Sequence, residues 1–353
     1  MKKYRFFKIV GIFFLLAFVL SCAEDPIERP LGRFERGVLI IHEGAFGAND
    51  GELYHYDPTT EELQTDVFES ANSRPFAGLL QQVREEGDYF YLVANTGKVE
   101  VVRAADLSHV GSVNDAKLQI PRDLQVAGQK LFISDFGPYD ASWNNSDSFV
   151  AVVSGLQGGT VSEQIPVPSR PEGMALIDGS VWVACTAGAS IAVINPESEE
   201  VSQLIEVTKG APYFFAQYGG NWYLYALDAS NVYFHRLNSA AFSIDETITI
   251  PLANAIYNGN FSLGENGEAY IITSSGSDSQ VAKVSIVSGA VMDAEFFSGT
   301  HFYGLGFDRS SRSLYIGDHA GWQGNGNVWI VDAQGSLKKS MPAGRGPSGF
   351  IFR

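Results

Sequence analysis

Pro121-Arg122-Asp123-Leu124 leads to Gly128-Gln129-Lys130-Leu131-Phe132-Ile133 and then to Phe149-Val150-Ala151-Val152-Val153. The same order returns as Pro171-Glu172-Gly173-Met174, Gly179-Ser180-Val181-Trp182-Val183 and Ile191-Ala192-Val193-Ile194. Each copy is a turn, a short apolar run, a Gly turn and another run. Short runs between turns are spaced like antiparallel strands, not like helices.

The aromatic inside the second segment recurs in both directions. Tyr91, Phe132, Trp182, Tyr223, Tyr270 and Tyr315 stand 41, 50, 41, 47 and 45 residues apart, and Leu39 fills the slot 52 residues before Tyr91. Seven copies averaging 46 residues match the blade of a β-propeller. A β-sandwich has no reason to repeat seven times, and a parallel β-helix has a much shorter repeat. The last copy is followed by Gly346-Pro347-Ser348-Gly349-Phe350-Ile351-Phe352, which resembles the inner-strand segments Glu172–Leu176 and Tyr303–Phe307. The first copy, from Gly37, has no such segment before it. The sequence therefore predicts an all-β, seven-bladed β-propeller with four-stranded antiparallel blades. The C-terminal strand completes the first blade and leaves no open radial edge. No helix of any length and no linker inside the ring are expected.

The 37 Gly among 353 residues suit a ring rich in tight turns. Residues 1–21 read as a signal peptide, 22–36 as a lipidated tether and 37–353 as a single propeller domain. Lys2, Lys3, Arg5 and Lys8 precede an apolar run, Ile9 to Leu20, that is too short to span a bilayer. Phe18-Val19-Leu20-Ser21-Cys22 resembles a bacterial lipobox, which implies lipidation of Cys22. An ordinary signal peptide with an incidental Cys is the alternative. Ala23-Glu24-Asp25 resembles the surface-export signal of Bacteroidota lipoproteins. The expected location is the outer membrane, lipid-anchored and facing outward, with a periplasm-facing anchor as the alternative. The other Cys, Cys185, then has no partner and reads as a small buried hydrophobe.

The chain carries 24 Lys and Arg against 40 Asp and Glu. Four of the cations lie in the leader, so the remainder holds 20 against 40, a net of −20. That argues against nucleic acid and anionic membrane faces as partners.

The blades differ most in the connection between their second and third strands. It is short in blade four, Thr186 to Ser190, and longer in blade three, Asp135 to Ser148. Blade seven has a long one, Asp318 to Asn327, and blade one another, His42 to Gly51. In a propeller these connections share a face with the turns that enter each inner strand. Loops longer than needed, gathered on one face, point to function. The loops offer Phe136, Tyr139, Trp143, His319 and Trp322, and the entry turns offer Arg170, Tyr213, Tyr257 and Tyr303, as ligand contacts. For each of them, packing beneath its own loop is the plain alternative.

No P-loop, dinucleotide fingerprint, HExxH, GxSxG or Cys/His metal spacing is present. His42-Glu43 could serve as an acid/base pair, against the commoner reading of solvated turn residues. Asp135, Asp140, Asp147 and Asp278 could bind Ca²⁺ but lack the tight alternation of a calcium loop.

The opening segment, Gly37-Val38-Leu39-Ile40-Ile41-His42-Glu43-Gly44-Ala45-Phe46-Gly47 leading to Tyr54-His55-Tyr56-Asp57-Pro58, resembles that of YncE-like (YVTN-type) propeller lipoproteins of Bacteroidota. His42 and Ala45 stand where that pattern has Asn. Val99–Val102 and Arg170–Met174 also look like that family. One branch captures cobalamin at the cell surface and passes it to a TonB-dependent outer-membrane transporter. The resemblance implies a capture lipoprotein for a corrinoid-like small molecule. It implies contacts from Phe136, Tyr139, Trp143, Tyr213, Tyr257, Tyr303, His319 and Trp322, with no catalytic residue and no resident cofactor. A protein-binding scaffold and a metal-dependent lactonase- or lyase-like propeller are the alternatives.

Overall fold

The structure, a computed structural model, describes residues 31–256 and 260–353. The leader, Cys22 and Tyr257 lie outside the described residues. Among those described, the strands form seven four-stranded antiparallel sheets, each in simple up-and-down order from an inner to an outer strand. The inner strands of blades two to seven are Leu80–Glu86, Pro121–Ala127, Pro171–Ile177, Ala211–Tyr218, Phe261–Leu263 and Phe302–Asp308. Blade one takes its inner strand from the C-terminus: Pro347–Phe352 pairs with Val38–His42, Leu39 opposite Ile351. This is the closure expected from the last copy of the repeat.

Leu39, Tyr91, Phe132, Trp182, Tyr223, Tyr270 and Tyr315 all fall on the second strand of a blade and are at most 8% exposed. The core is not one mass but a series of wedges between successive blades. Phe132, Val150 and Val152 of blade three meet Met174, Val181 and Val183 of blade four. Tyr315 and Val328 of blade seven meet Val38, Ile40 and Tyr54 of blade one. Because blades pack on both faces, their middle strands are buried on both faces. That is why they read as continuous apolar runs rather than alternating ones. Cys185 lies in the wedge between blades three and four, where burial pushes its thiol up to about 12.

The chain enters the ring at the end of blade one opposite the long loops. Phe34 is 1% exposed in the wedge between blades one and two, its N–H donating to the Ala105 carbonyl at 3.2 Å. The Arg353 N–H closes on the Gly37 carbonyl at 2.9 Å, so both ends of the described chain are fastened on that face.

Contrary to the expectation of an unbroken β chain, a six-residue helix, Val67–Asn72, joins blades one and two. Val67 and Phe68 bury its inner face. Asp66 makes no side-chain cap. The carboxylate of Glu52 does this instead, accepting the Phe68 N–H at 3.1 Å and the Leu53 N–H at 2.8 Å. Burial pushes the Glu52 carboxyl from 4.5 up to about 7. The folded state therefore holds this proton more tightly than the unfolded state. The site favours folding below about pH 4.5 and loses that contribution as pH rises towards 7. Glu52→Gln keeps the accepting oxygen and removes the charge. It raises stability at pH 8 by up to about 3 kcal/mol and leaves it nearly unchanged at pH 4.5. Thermal melts of both proteins at the two pH values check this; an equal shift at both would contradict it.

Candidate functional site

The site is built by a backbone irregularity that recurs around the ring. Near its start the inner strand slips register against its neighbour, leaving extra residues unpaired. The slips fall between Leu80 and Gln82, Pro121 and Asp123, Pro171 and Met174, Pro212 and Phe214, and Phe302 and Leu305. In blade one, Ser348 is left over between Pro347 and Gly349. A bulge re-aims the side chain it carries. Here it turns Gln81, Arg122, Tyr303 and Ser348 into the mouth of the central channel.

Arg122 organises this mouth. Its Nε and Nη2 donate to Oε1 of Glu172 at 3.0 and 2.6 Å, and its Nη1 to Oε1 of Gln81 at 2.6 Å. The guanidinium lies over the Phe136 ring, 4.7 Å from its centre. Tyr303 donates its hydroxyl to Oε2 of Glu43. Burial raises the Glu43 carboxyl above its ordinary value, outweighing the Tyr303 hydrogen bond and the charge of Arg122. Below the mouth is a chamber of about 130 Å³, walled by Glu43, Gln81, Gln82, Arg122, Asn260 and Ser348 among others. A wider space of about 310 Å³ follows, sharing Gln82, Phe214 and Asn260 and reaching Arg84.

Above the mouth stands an aromatic shelf. The Tyr303 ring meets His319 and Trp322 edge-on at 5.7 and 5.1 Å, and His319 stacks on Trp322 at 4.6 Å. His301 meets His319 edge-on at 5.3 Å. Burial, helped by His301, lowers the His319 pKa, so its ring is a neutral aromatic at neutral pH. Trp322 lies directly on Gly346: a Cβ there would come within 2.5 Å of the ring, and the glycine φ is +63°. Trp322 itself adopts φ +62°, and Trp143 at the tip of the blade three loop adopts +63°. Left-handed backbone at bulky residues is strained and gathers at working surfaces.

The residues singled out from sequence divide into groups. Tyr303, His319 and Trp322 form the shelf, and Phe136 joins the channel mouth through Arg122. Tyr139 and Trp143 pair with each other at 5.6 Å on the blade three loop, 48% and 75% exposed. Arg170 fastens that loop: its Nε donates to Asn145 Oδ1 at 3.0 Å and its N–H to Ser148 Oγ at 3.1 Å. Tyr213 is buried in the wedge between blades five and six. His42 and Glu43 are not solvated turn residues. The His42 ring is 1% exposed beside Tyr54, and burial lowers its pKa to about 3. Asp135 accepts three backbone N–H groups, from Gln119, Ile120 and Gly137, and Asp140 accepts those of Ser142 and Asn144. Asp147 and Asp278 are exposed. Among the described residues no three His, Cys, Asp or Glu side chains converge into a metal-holding group.

Sequence reasoning placed Arg122 at an entry turn but missed Glu43, Gln81, Glu172 and Ser348 as a connected wall. A signal existed: in three blades the residue that builds this wall directly follows a proline, as in Pro121-Arg122, Pro171-Glu172 and Pro347-Ser348. Phe46, on the blade one loop and 97% exposed, was also passed over. An open groove of about 620 Å³ lies at the rim of blade three, lined by Lys117, Pro138 and Gln164 among others; it shares no residue with shelf or channel.

Residues 36–346 match the model of a family described as Domain of unknown function (DUF5074). No curated protein matches. Among solved structures, a candidate 6-phosphogluconolactonase from Bacteroides fragilis superposes with a TM-score of 0.65 at 13% identity, over 90% of this chain and 97% of its own. A quinonprotein alcohol dehydrogenase-like protein from Bacteroides thetaiotaomicron gives 0.66 at 13%, over 90% of this chain and 78% of its own. BamB from Moraxella catarrhalis gives 0.52 at 11%, over 91% and 87%. At these identities the likeness is one of fold, which does not carry function.

Proposed function

Because the chain belongs to the DUF5074 family and carries an aromatic shelf over a polar channel, we propose that its loop face captures a small-molecule nutrient. The proposed setting is the outer membrane, with the protein anchored through a lipid on Cys22, facing outward, and delivering to a TonB-dependent transporter. A corrinoid is the ligand class to test first. The observation that carries this reading is the Tyr303–His319–Trp322 cluster: an exposed Trp322 held rigid on half-buried Tyr303 and His319, next to hydrogen-bonding groups. A corrin ring is far larger than the 130 Å³ chamber, so it would lie across the shelf rather than enter the channel.

Calorimetric titration with cobalamin and cobinamide tests it. We expect a Kd tighter than about micromolar, near −8 kcal/mol, and at least tenfold weaker binding for Trp322→Ala. Titrations without heat, on folded protein, would remove the corrinoid.

A protein-binding role is the second reading, favoured by the exposure of Phe46 and Trp143 on the same face. A metal-dependent lactonase reading fits less well. The place among the channel carboxylates that a cation would take is held by the Arg122 guanidinium, hydrogen-bonded to Glu172 and Gln81.

A further inference from the structure

We propose that the chamber beneath the shelf is a subsite for an uncharged carboxamide arm of the captured ligand; this rests on the capture reading above. Its charges are balanced. Arg122 is matched by Glu172, and Glu43 is bonded to Tyr303, so the wall presents no spare positive charge to a carboxylate or phosphate. What it presents is a set of short-range donors and acceptors. Gln82 uses its Oε1 on the Val83 N–H at 3.0 Å, and among the described residues its Nε2 has no partner. Gln81 uses Oε1 on Arg122 and Asn95, and its Nε2 is likewise unmatched. Ser348 reaches only a distant carbonyl, that of Ile41 at 3.4 Å, which leaves its oxygen able to accept.

Two amide donors and a hydroxyl acceptor lining one chamber are complementary to a primary carboxamide, whose carbonyl accepts and whose NH₂ donates. A carboxylate offers acceptors only and would lie in a chamber walled by Glu43, beside an Arg122 already matched by Glu172. The volume agrees: about 130 Å³ holds on the order of four waters at about 30 Å³ each, the bulk of a short amide side chain. Tyr303 belongs to both parts of the site, its ring in the shelf and its hydroxyl on the chamber wall. A flat ligand lying on the shelf would therefore hold a peripheral arm over the opening. Burying a group whose partners are already in place gives selectivity by leaving the wrong group unpaired.

The test compares cobinamide, whose peripheral arms are carboxamides, with cobyrinic acid, whose arms are carboxylates. It is run calorimetrically in 1 M salt, where a Debye length of about 3 Å keeps the overall acidity of the protein from deciding the result. We expect cobyrinic acid to bind at least thirtyfold more weakly than cobinamide. Gln82→Glu and Gln82→Leu should each weaken cobinamide at least tenfold. If cobinamide binds but cobyrinic acid binds equally well, or both Gln82 variants keep its affinity within twofold, the subsite is wrong and capture stands. If neither corrinoid binds the folded protein, capture and subsite fall together.

Discussion

Deletion of residues 347–353 yields a chain with no cooperative thermal transition, recovered as soluble oligomers or aggregate. The C-terminal strand supplies more than a ladder to Val38–His42. Phe350 and Phe352 pack on Tyr315 at 5.6 and 5.2 Å, closing the wedge between blades seven and one. Ile351 packs against the wedge between blades one and two. Fully burying a Phe contributes about 1.5–3 kcal/mol, and these two partly buried rings are lost together with a whole strand ladder, against a typical total stability of about 5–15 kcal/mol. The strand also covers the edge of Val38-Leu39-Ile40-Ile41, all nearly inaccessible. Uncovered, that edge is a flat apolar template for pairing with other chains. Circular dichroism melts with size-exclusion light scattering give the answer. A monomer melting within about 5 °C of the full chain would mean that the ring does not depend on this closure.

Arg122→Met has the largest effect expected of a single substitution, about 3–5 kcal/mol of destabilisation at pH 7. Methionine fills much of the volume, so the loss is electrostatic. Glu172, 6% exposed, keeps its charge without its partner, close to Glu43. Loss of the Arg122 charge pushes the Glu43 carboxyl, already raised by burial, further above its ordinary value. Its folded pKa lies above the unfolded one, so the penalty grows as pH rises from about 4.5 towards 8 and shrinks in acid. Adding Glu172→Gln to Arg122→Met should return about half of the loss. Urea denaturation of the two single variants and the double variant, at pH 5 and 8, measures the coupling. A single variant within about 0.5 kcal/mol of the parent at both pH values would show that the pair contributes little.

The blade count and ring closure were legible because they rest on the most repetitive part of the physics. A second strand packed on both sides must be apolar along its length, and seven such strands repeat the demand from Leu39 to Tyr315. The long loops were legible as departures from that regularity, and two of their aromatics, His319 and Trp322, do meet Tyr303. The channel wall was hidden because it comes from single bulged positions. These carry Gln, Arg, Glu, Tyr and Ser in different blades, so comparing repeats blurs them. Contacts such as Glu43 with Tyr303 join residues 260 positions apart and leave no local pattern. The helix at Val67–Asn72 was hidden for a similar reason, since the carboxylate that receives its Phe68 N–H comes from Glu52, in a strand sixteen residues upstream. Arg170, at an entry turn by sequence, has partners that the sequence did not show: it ties down Asn145 and Ser148.

The way the first strand is held has a mechanical meaning. Val38–His42 lies between the C-terminal strand and Glu52–Asp57, hydrogen-bonded on both sides, with Phe34 wedged in just ahead of it. Tension applied to the chain at residue 32 must first extract Phe34 and then act along the strand. There it loads two ladders in parallel, in shear, instead of peeling one bond at a time from an edge. The strand that meets any pull from the N-terminal side is thus one of the hardest in the ring to strip away, and the force path ends in the covalently distant C-terminus rather than in the loops of the candidate site.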